Sequence, residues 1–445
     1  MNKKAISVLI FPLLILTFRP LNVDLNQAII LSTLMITIIS WIVGKPNKII
    51  SSIFLLIMFI LFGNTPIRTI LSFPLSSNFL MIVFSFIFSQ GIINSNLAKK
   101  LFLPFINRYS RNGIQFLITM VISVIILVSV IPQPYSRVIL LAMVYQEFFN
   151  SISLEEATRE VLIFSIFAFN ILAHLLFKRG DIVLNNGILA VANVQMSELE
   201  WMKNLLVPGL GMLVLAMIFF VFAFKKELKL FKPGEISITK IELNKDDKIN
   251  LALILIIIVL WATESIHNVS GTTVLIVGTI IMYFRKIIGF KDLKSVNVEV
   301  LVFLTAAFSI GSVMAGSGIA DKIFGRFTEL LPNEFNFLFV LTIVSSTMVL
   351  RMFLGSTITT MSVAIPSFIS MAEGKINSTI IMFLVFLSLL TVYLLPFHNS
   401  LLAVGEGNNY FSNKTVLRFG VYCIILTFIS IFLFFIPWWR FIGLM

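Results

Sequence analysis

The sequence predicts an all-α polytopic membrane protein. Its plan is two inverted repeats, each of five spans plus a re-entrant hairpin, with one broken helix per repeat. Composition is the first observation behind this. The 445 residues are 58% hydrophobic and 12% charged, where water-soluble domains carry about 25% charged residues. Long uncharged stretches recur along the whole chain, each of a length suited to crossing lipid as a helix. The second observation is a near-constant sequence offset between matching features. The third is the parity of the spans that separate them.

Eleven full spans are expected near 5–18, 26–44, 49–63, 77–95, 160–177, 204–224, 250–266, 271–286, 297–315, 378–394 and 417–438. The first has a basic start, but no small-residue cleavage site follows it, so it reads as a retained span. Two apolar pairs, 113–131 with 138–149 and 337–353 with 361–372, have second arms of about a dozen residues. A crossing helix needs about 20. Each pair therefore reads as a hairpin that enters and leaves on one side. Irregular backbone at such a tip is tolerated only beside protein or a water-filled cavity.

"NSNLAKK" (94–100) aligns with "GSGIADK" (316–322), the hairpin tips "PYSRV" (134–138) and "GSTIT" (355–359) align, and the spans starting at 26 and 250 align, all at offsets of 221–224. Each match is weak alone; the shared offset makes them a duplication. Five crossings separate the aligned starts, and a hairpin adds none. Five is odd, so the second repeat enters from the opposite face, as in many secondary transporters. The expected division is an N-terminal span (1–25), repeat one (26–224, hairpin 113–149, broken span 160–191), a cytoplasmic linker (225–249) and repeat two (250–445, hairpin 337–372, broken span 378–411).

Charge agrees with this count. With the N-terminus inside, 21 of the 33 Lys and Arg fall in inside loops and seven in outside loops, as the positive-inside rule requires. The net charge of +12 thus reflects topology, not nucleic acid. The linker run "KKELKLFKPGEISITKIELNKDDK" is a solvated loop. One cysteine, Cys423, excludes an internal disulfide and a cysteine-based metal centre.

Five basic residues escape the loop count: Arg137, Arg159, Lys178, Arg179 and Arg351. Arg159 belongs at the interface beside Glu155, Glu156 and Glu160. Arg137 lies at the tip of the first hairpin, next to Ser136, and Arg351 just ahead of the second. Lys178 and Arg179 sit in "KRGD" (178–181), which interrupts a span. A charge at bilayer depth costs several kcal/mol unless it faces a cavity or a partner. Two readings of Lys178 and Arg179 stand: they line a site, or the span ends there and they snorkel to the interface. The matching interruption in repeat two is "PFHNS" (396–400). Paired interruptions are the strongest sequence pointer to a transport site. Free backbone groups at such breaks bind anions at helix N-termini and cations at C-termini. His174 and His398 fall at the breaks, either as proton relays or as helix–helix hydrogen-bond partners. Asp181 and Glu406 are the carboxylates beside them. Either can carry a coupling proton; equally, Asp181 neutralises a neighbouring cation and Glu406 lies at the surface.

With these residues in view, the chain resembles the divalent anion:sodium symporter family. The likeness covers about 26 to the C-terminus. "GSTIT" with "TMSVAIP" looks like the family's Ser-Asn-Thr hairpin tip. "LLPFHNSLLAVGEGNNYFSNKTVLRFG" looks like its broken span, and "LEWMKNLLVPGLGML" like the lead into its sixth span. The resemblance implies an elevator-type carrier, generally dimeric, of dicarboxylates, citrate or sulfate, with Na+ or H+ as coupling ion and no resident cofactor. It places Ser356, Thr357 and Thr359 on substrate or ion, with His398, Asn399 and Ser400 as the opposing wall. Repeat one departs from the pattern: Pro134-Tyr135-Ser136 replaces the Ser-Asn-Thr tip, and Lys178-Arg179-Gly180-Asp181 replaces Thr-Pro-Pro-Asn. A fixed cation there takes the place of a sodium ion and favours an anionic substrate. Arg137 suits bidentate recognition of carboxylate or phosphate; the competing reading is that it pairs with Asp181 and braces the domain.

Four functions come into question: a secondary anion transporter of the cell membrane, a carrier or flippase of the same fold for a larger phosphate-bearing or lipid-linked anion, a non-transporting receptor, and an enzyme. No HExxH, GxSxG or P-loop is present to support the last.

Overall fold

The computed structural model describes the chain apart from residues 1–2, 44–45, 98–99, 102–103, 105, 107–111, 151, 153, 232–242, 320–321, 323–331, 333, 355–356, 373–375 and 395–398. The described residues form helices and turns, with no strand. In chain order the main helices are α1 (Lys3–Phe18), α2 (Leu25–Val43), α3 (Lys48–Phe62), α4 (Ser77–Asn94), α5 (Gly113–Val130), α6 (Pro134–Asn150), α7 (Glu156–Ala173), α8 (Ile182–Val191), α9 (Glu198–Ala223) and α10 (Lys245–Ala262). Then follow α11 (Gly271–Phe284), α12 (Val298–Gly316), α13 (Phe337–Leu354), α14 (Thr357–Met371), α15 (Ser378–Thr391), α16 (Ser400–Gly407) and α17 (Asn413–Ser430), the last continued by further helical turns to Phe441.

Polar punctuation between apolar runs fixes the ends. The side chains of Asn47, Asn112 and Ser412 cap α3, α5 and α17 by accepting backbone N–H bonds. Ser197 with Glu200, and Asn244 with Asp247, close reciprocal capping boxes on α9 and α10. Each cap satisfies donors that a helix leaves open in its first turn. Asn64, Asn96, Asn193, Asn268 and Asn409 take positive φ. Asparagine thus does at helix stops what glycine commonly does.

Five helices are long and apolar enough to cross a membrane by themselves: α4, α5, α7 with its following turn, α9 and α17 with its extension. The others are shorter apolar helices. The hairpin arms differ from expectation. α6 has 17 residues and α14 has 15, because Pro134 and Thr357 start helices several residues before the apolar runs do. Proline is tolerated in a first turn, where its missing N–H bonds nothing. Helix starts recur in pairs at 48 and 271, 77 and 298, 113 and 337, 134 and 357, and 156 and 378, all at offsets of 221–224. Asn96 and Gly318, aligned in the sequence, both take left-handed φ, 55° and 70°.

The chain divides into two compact units, each drawing on both predicted repeats. The first comprises 1–79, 187–195 and 297–389. Its core joins α2, α3 and α12 through Leu34, Trp41, Leu55, Phe59, Phe303 and Ile310. The Trp41 ring stands edge-on to Phe303 at 4.6 Å and its Nε1 donates to Ser52 Oγ at 3.1 Å.

The second unit comprises 80–186, 196–296 and 390–445. Every residue of α7 from Val161 to Ala173 is buried, as expected of a helix apolar on all sides. Phe220 packs on Phe419 at 5.0 Å and Phe164 on Phe411 at 5.1 Å. On α5, Ile114, Ile118, Ile122 and Ile126 form an exposed stripe, while Phe116, Met120, Ser123 and Leu127 on other faces are buried. An exposed isoleucine stripe is costly in water and costs nothing against acyl chains, which is how a membrane helix presents itself.

Candidate functional site

The first hairpin turns at Ile131-Pro132-Gln133. Pro132 disfavours a helical conformation at Ile131, so α5 stops and α6 starts at Pro134. Arg137 falls in the first turn of α6, and none of it is exposed. Its Nε donates to Asn170 Oδ1 at 2.8 Å, and its Nη1 to the carbonyls of Ile131 at 2.5 Å and Gly180 at 2.6 Å. One guanidinium therefore ties the end of α5 to α7 and to the break after it. Among the described residues its Nη2 has no hydrogen-bond partner, and neither has Asn170 Nδ2 or the nearby Gln133 Nε2. All three residues are at most 2% exposed. Arg137 and Asp181 form no ion pair among the described residues; the hydrogen bonds that brace the domain through Arg137 go to two carbonyls and an amide.

The break itself runs from His174 to Asp181. Asn185, one turn into α8, closes it. Its Nδ2 donates to the carbonyls of His174 (3.0 Å) and Phe177 (2.9 Å), and its Oδ1 lies 3.0 Å from His174 Nδ1. Trp201 Nε1 donates to the Leu175 carbonyl at 2.8 Å. Asp181 Oδ1 accepts from the N–H groups of Val183 and Leu184, both at 3.1 Å, and so caps α8. Gly180 is required here: a Cβ would lie 2.3 Å from the His174 carbonyl oxygen. The expectation of free backbone groups at this break is corrected by these bonds. Side chains hold the carbonyls of His174, Leu175, Phe177 and Gly180 and the amides that Asp181 caps.

Lys178 and Arg179 both find partners within the protein. Arg179 is 5% exposed. Its Nη1 pairs with Glu198 at 3.6 Å, its Nε donates to the Ser129 carbonyl at 2.9 Å, and its N–H to Glu198 Oε2 at 3.2 Å. Lys178 Nζ donates to the Met196 carbonyl at 2.6 Å and lies 3.8 Å from Glu264. These two cations are held by Glu198 and Glu264, two carboxylates that the sequence reading passed over. Glu198 opens a helix as an ordinary first-turn acid, and nothing local marks it as the partner of a residue 19 positions away.

In repeat two, Asn399 caps α16 by accepting from the Leu401 N–H at 2.9 Å. Glu406 is half-buried within α16. Gly420 lets α17 approach the backbone before the break, since a Cβ would lie 2.4 Å from the Tyr393 oxygen. Thr391 and Thr427 share a hydrogen bond, and Tyr393 Oη lies 3.1 Å from Cys423 Sγ. In the other unit, Arg351 ends α13 and is 1% exposed, and Thr359 in the first turn of α14 is fully buried. Thr357 opens α14, and Ser136 is half-buried beside Arg137. Ser356 and His398 lie outside the described residues, as does the side chain of Ser400. Asn170, Asn185 and Gln133 were missed because an amide in an apolar helix carries no motif.

No group of three or more potential metal ligands occurs among the described residues. Comparison with curated proteins gives no match. The family description "sodium:sulfate symporter transmembrane region" matches residues 1–445. That family comprises transporters, not enzymes, with sodium as the implied coupling ion. The chain thus belongs to the sodium:sulfate symporter family, the divalent anion:sodium symporters.

Proposed function

We propose that the protein is a secondary active transporter. It moves a small anion of di- or tricarboxylate or sulfate type across the cytoplasmic membrane, with sodium, as a homodimer whose N-termini are cytoplasmic. The observation that carries this reading is the set of three buried, unpartnered donors at the first hairpin: Arg137 Nη2, Asn170 Nδ2 and Gln133 Nε2. A buried donor without an acceptor costs about 1–3 kcal/mol. Donors of that kind around a guanidinium suit an oxyanion that has shed its water. The same guanidinium supplies positive charge where the family pattern uses an ion, so Arg137 and Ser136 are assigned to the anion. Lys178 and Arg179 are assigned to the wall behind it, and Asp181 to ordering the break. Thr357, Thr359 and Asn399 are assigned to the second repeat's share of anion and ion binding, on the family pattern.

The recurring helix starts support two repeats, and the odd number of expected spans between them supports an inverted relation. Two compact units, each built from both repeats, suit a scaffold and a moving body, and we propose an elevator motion on that ground.

The test is uptake into proteoliposomes of labelled sulfate, succinate and citrate, with sodium and proton gradients imposed separately. Sodium-driven uptake of at least one, lost in Arg137→Gln and partly kept in Arg137→Lys, is expected. Unchanged uptake by Arg137→Gln would end the assignment.

A further inference from the structure

A second site lies away from the hairpins. The C-terminal ends of α4 and α11 frame a cavity of about 890 Å³, lined among others by Asn94, Asn96, Tyr283, Lys286, Lys291 and Asp292. That volume is within the roughly 300–1,000 Å³ of small-molecule sites. Asp292 is the one acid among the described lining residues, and its carboxylate is engaged internally: it accepts from the Gly289 N–H at 2.7 Å and from Asn94 Nδ2 at 3.3 Å. Lys286 and Lys291 are exposed and enter no ion pair among the described residues. The cavity is therefore net positive.

Its rim is aromatic. Phe284 and Phe290 are 77% and 76% exposed, and the Tyr283 ring stands edge-on to both, at 5.9 and 5.4 Å. Aromatic side chains beside lysines are what the membrane–water boundary selects. From the rim an apolar strip continues along α11 through Ile281, Ile280 and Val277, all exposed. A positive pocket thus opens at the head of a greasy track.

Lys286 adds an independent observation. It occupies the left-handed position that ends α11, with φ 59°. The Lys286 N–H bonds the Tyr283 carbonyl and the Ile287 N–H bonds the Met282 carbonyl, at 2.9 and 3.0 Å. Glycine is the usual residue in this closure. A side chain there costs stability, so local folding alone does not account for lysine.

We propose that this cavity binds the phosphate-bearing headgroup of an anionic membrane phospholipid, with Lys286 and Lys291 on the phosphate and the acyl chains along α11. The apolar track favours a lipid over a free phosphate, and basic pockets between membrane helices are suited to such headgroups. The site is independent of the transported anion.

The test uses the full-length protein in neutral detergent, titrated with phosphatidylglycerol or phosphatidylcholine and read by thermal unfolding and native mass spectrometry. Saturable stabilisation and retained lipid are expected with phosphatidylglycerol only. Lys286→Gln with Lys291→Gln is expected to weaken that binding roughly 30-fold without lowering stability in detergent. Lys286→Gly is expected to raise stability in detergent and still weaken lipid binding. Three results would overturn the proposal: equal response of the double variant, the same stabilisation by inorganic phosphate alone, or a changed oligomeric state of the variants with unchanged lipid binding, which would make this face a contact between copies.

Discussion

Arg137 and Arg351 are both buried arginines at hairpin tips, and they stand at opposite poles of their helices. Arg351 lies in the last turn of α13, where the helix dipole favours a cation. Arg137 lies in the first turn of α6, where the same dipole opposes it. The first hairpin offsets this with two backbone carbonyls and the Asn170 amide oxygen, drawn from three segments. A cation kept at the positive end of a helix raises the local attraction for an anion. A cation at the negative end is already partly neutralised. The two tips therefore place their arginines at opposite helix poles.

The most direct way to break this comparison is to neutralise each arginine in turn. Arg137→Gln is expected to reduce sodium-driven anion uptake by roughly 30-fold, since a hydrogen bond to a charged group contributes about 1.5–3 kcal/mol. Arg351→Gln is expected to reduce it by a smaller factor. Equal losses measured in proteoliposomes would show that helix polarity does not matter.

Next in size is the ion pair behind the first tip. Glu198→Gln leaves Arg179 buried without its counter-charge, and breaking such a pair costs about 3–5 kcal/mol. The thermal midpoint in detergent is expected to fall sharply. Glu198→Gln combined with Arg179→Gln should recover part of that loss, because neither residue then carries an unpaired charge.

The break itself is sharpened by Asn185→Leu. It strips the His174 and Phe177 carbonyls of their donor, at about 1–3 kcal/mol for each buried group left open. Gly180→Ala forces a contact with the His174 oxygen and is expected to cost about 1–3 kcal/mol. Both variants should lose stability in thermal unfolding, whereas Asn399→Ala, a simple cap in the second repeat, should lose only about 1 kcal/mol.

The smallest expected effect lies outside the spans. The Lys100 ammonium, 2.6 Å from Asp247, holds that carboxyl below its usual range. The lowered folded-state value means the interaction is fully present above the ordinary Asp value near pH 4 and is lost as pH falls through the folded value. Asp247→Asn should therefore flatten the acid limb of a stability–pH profile and leave neutral-pH transport unchanged.

Most helices follow the expected spans, with starts displaced by up to about six residues, as at Glu198 and Lys245. Apolar runs bounded by Asn, Ser, Pro and charged residues became helices with those residues as caps, because backbone groups in lipid must bond within their own segment. The hairpin arms were read short, since Pro134 and Thr357 start helices in polar stretches that hydropathy alone does not count. Arg137 stood out because a charge in an apolar run is costly and thus visible.

What the sequence determined by itself is the membrane class, the order of the helices and the places where positive charge enters them, because those follow from local composition and the free energy of transfer. Only the tertiary structure decided which cations are neutralised. Arg179 and Lys178 face Glu198 and Glu264 at 3.6 and 3.8 Å, which come from other segments of the chain, whereas Arg137 is met by two carbonyls and an amide oxygen. Pairing at a distance is set by how helices pack, and no local pattern encodes it.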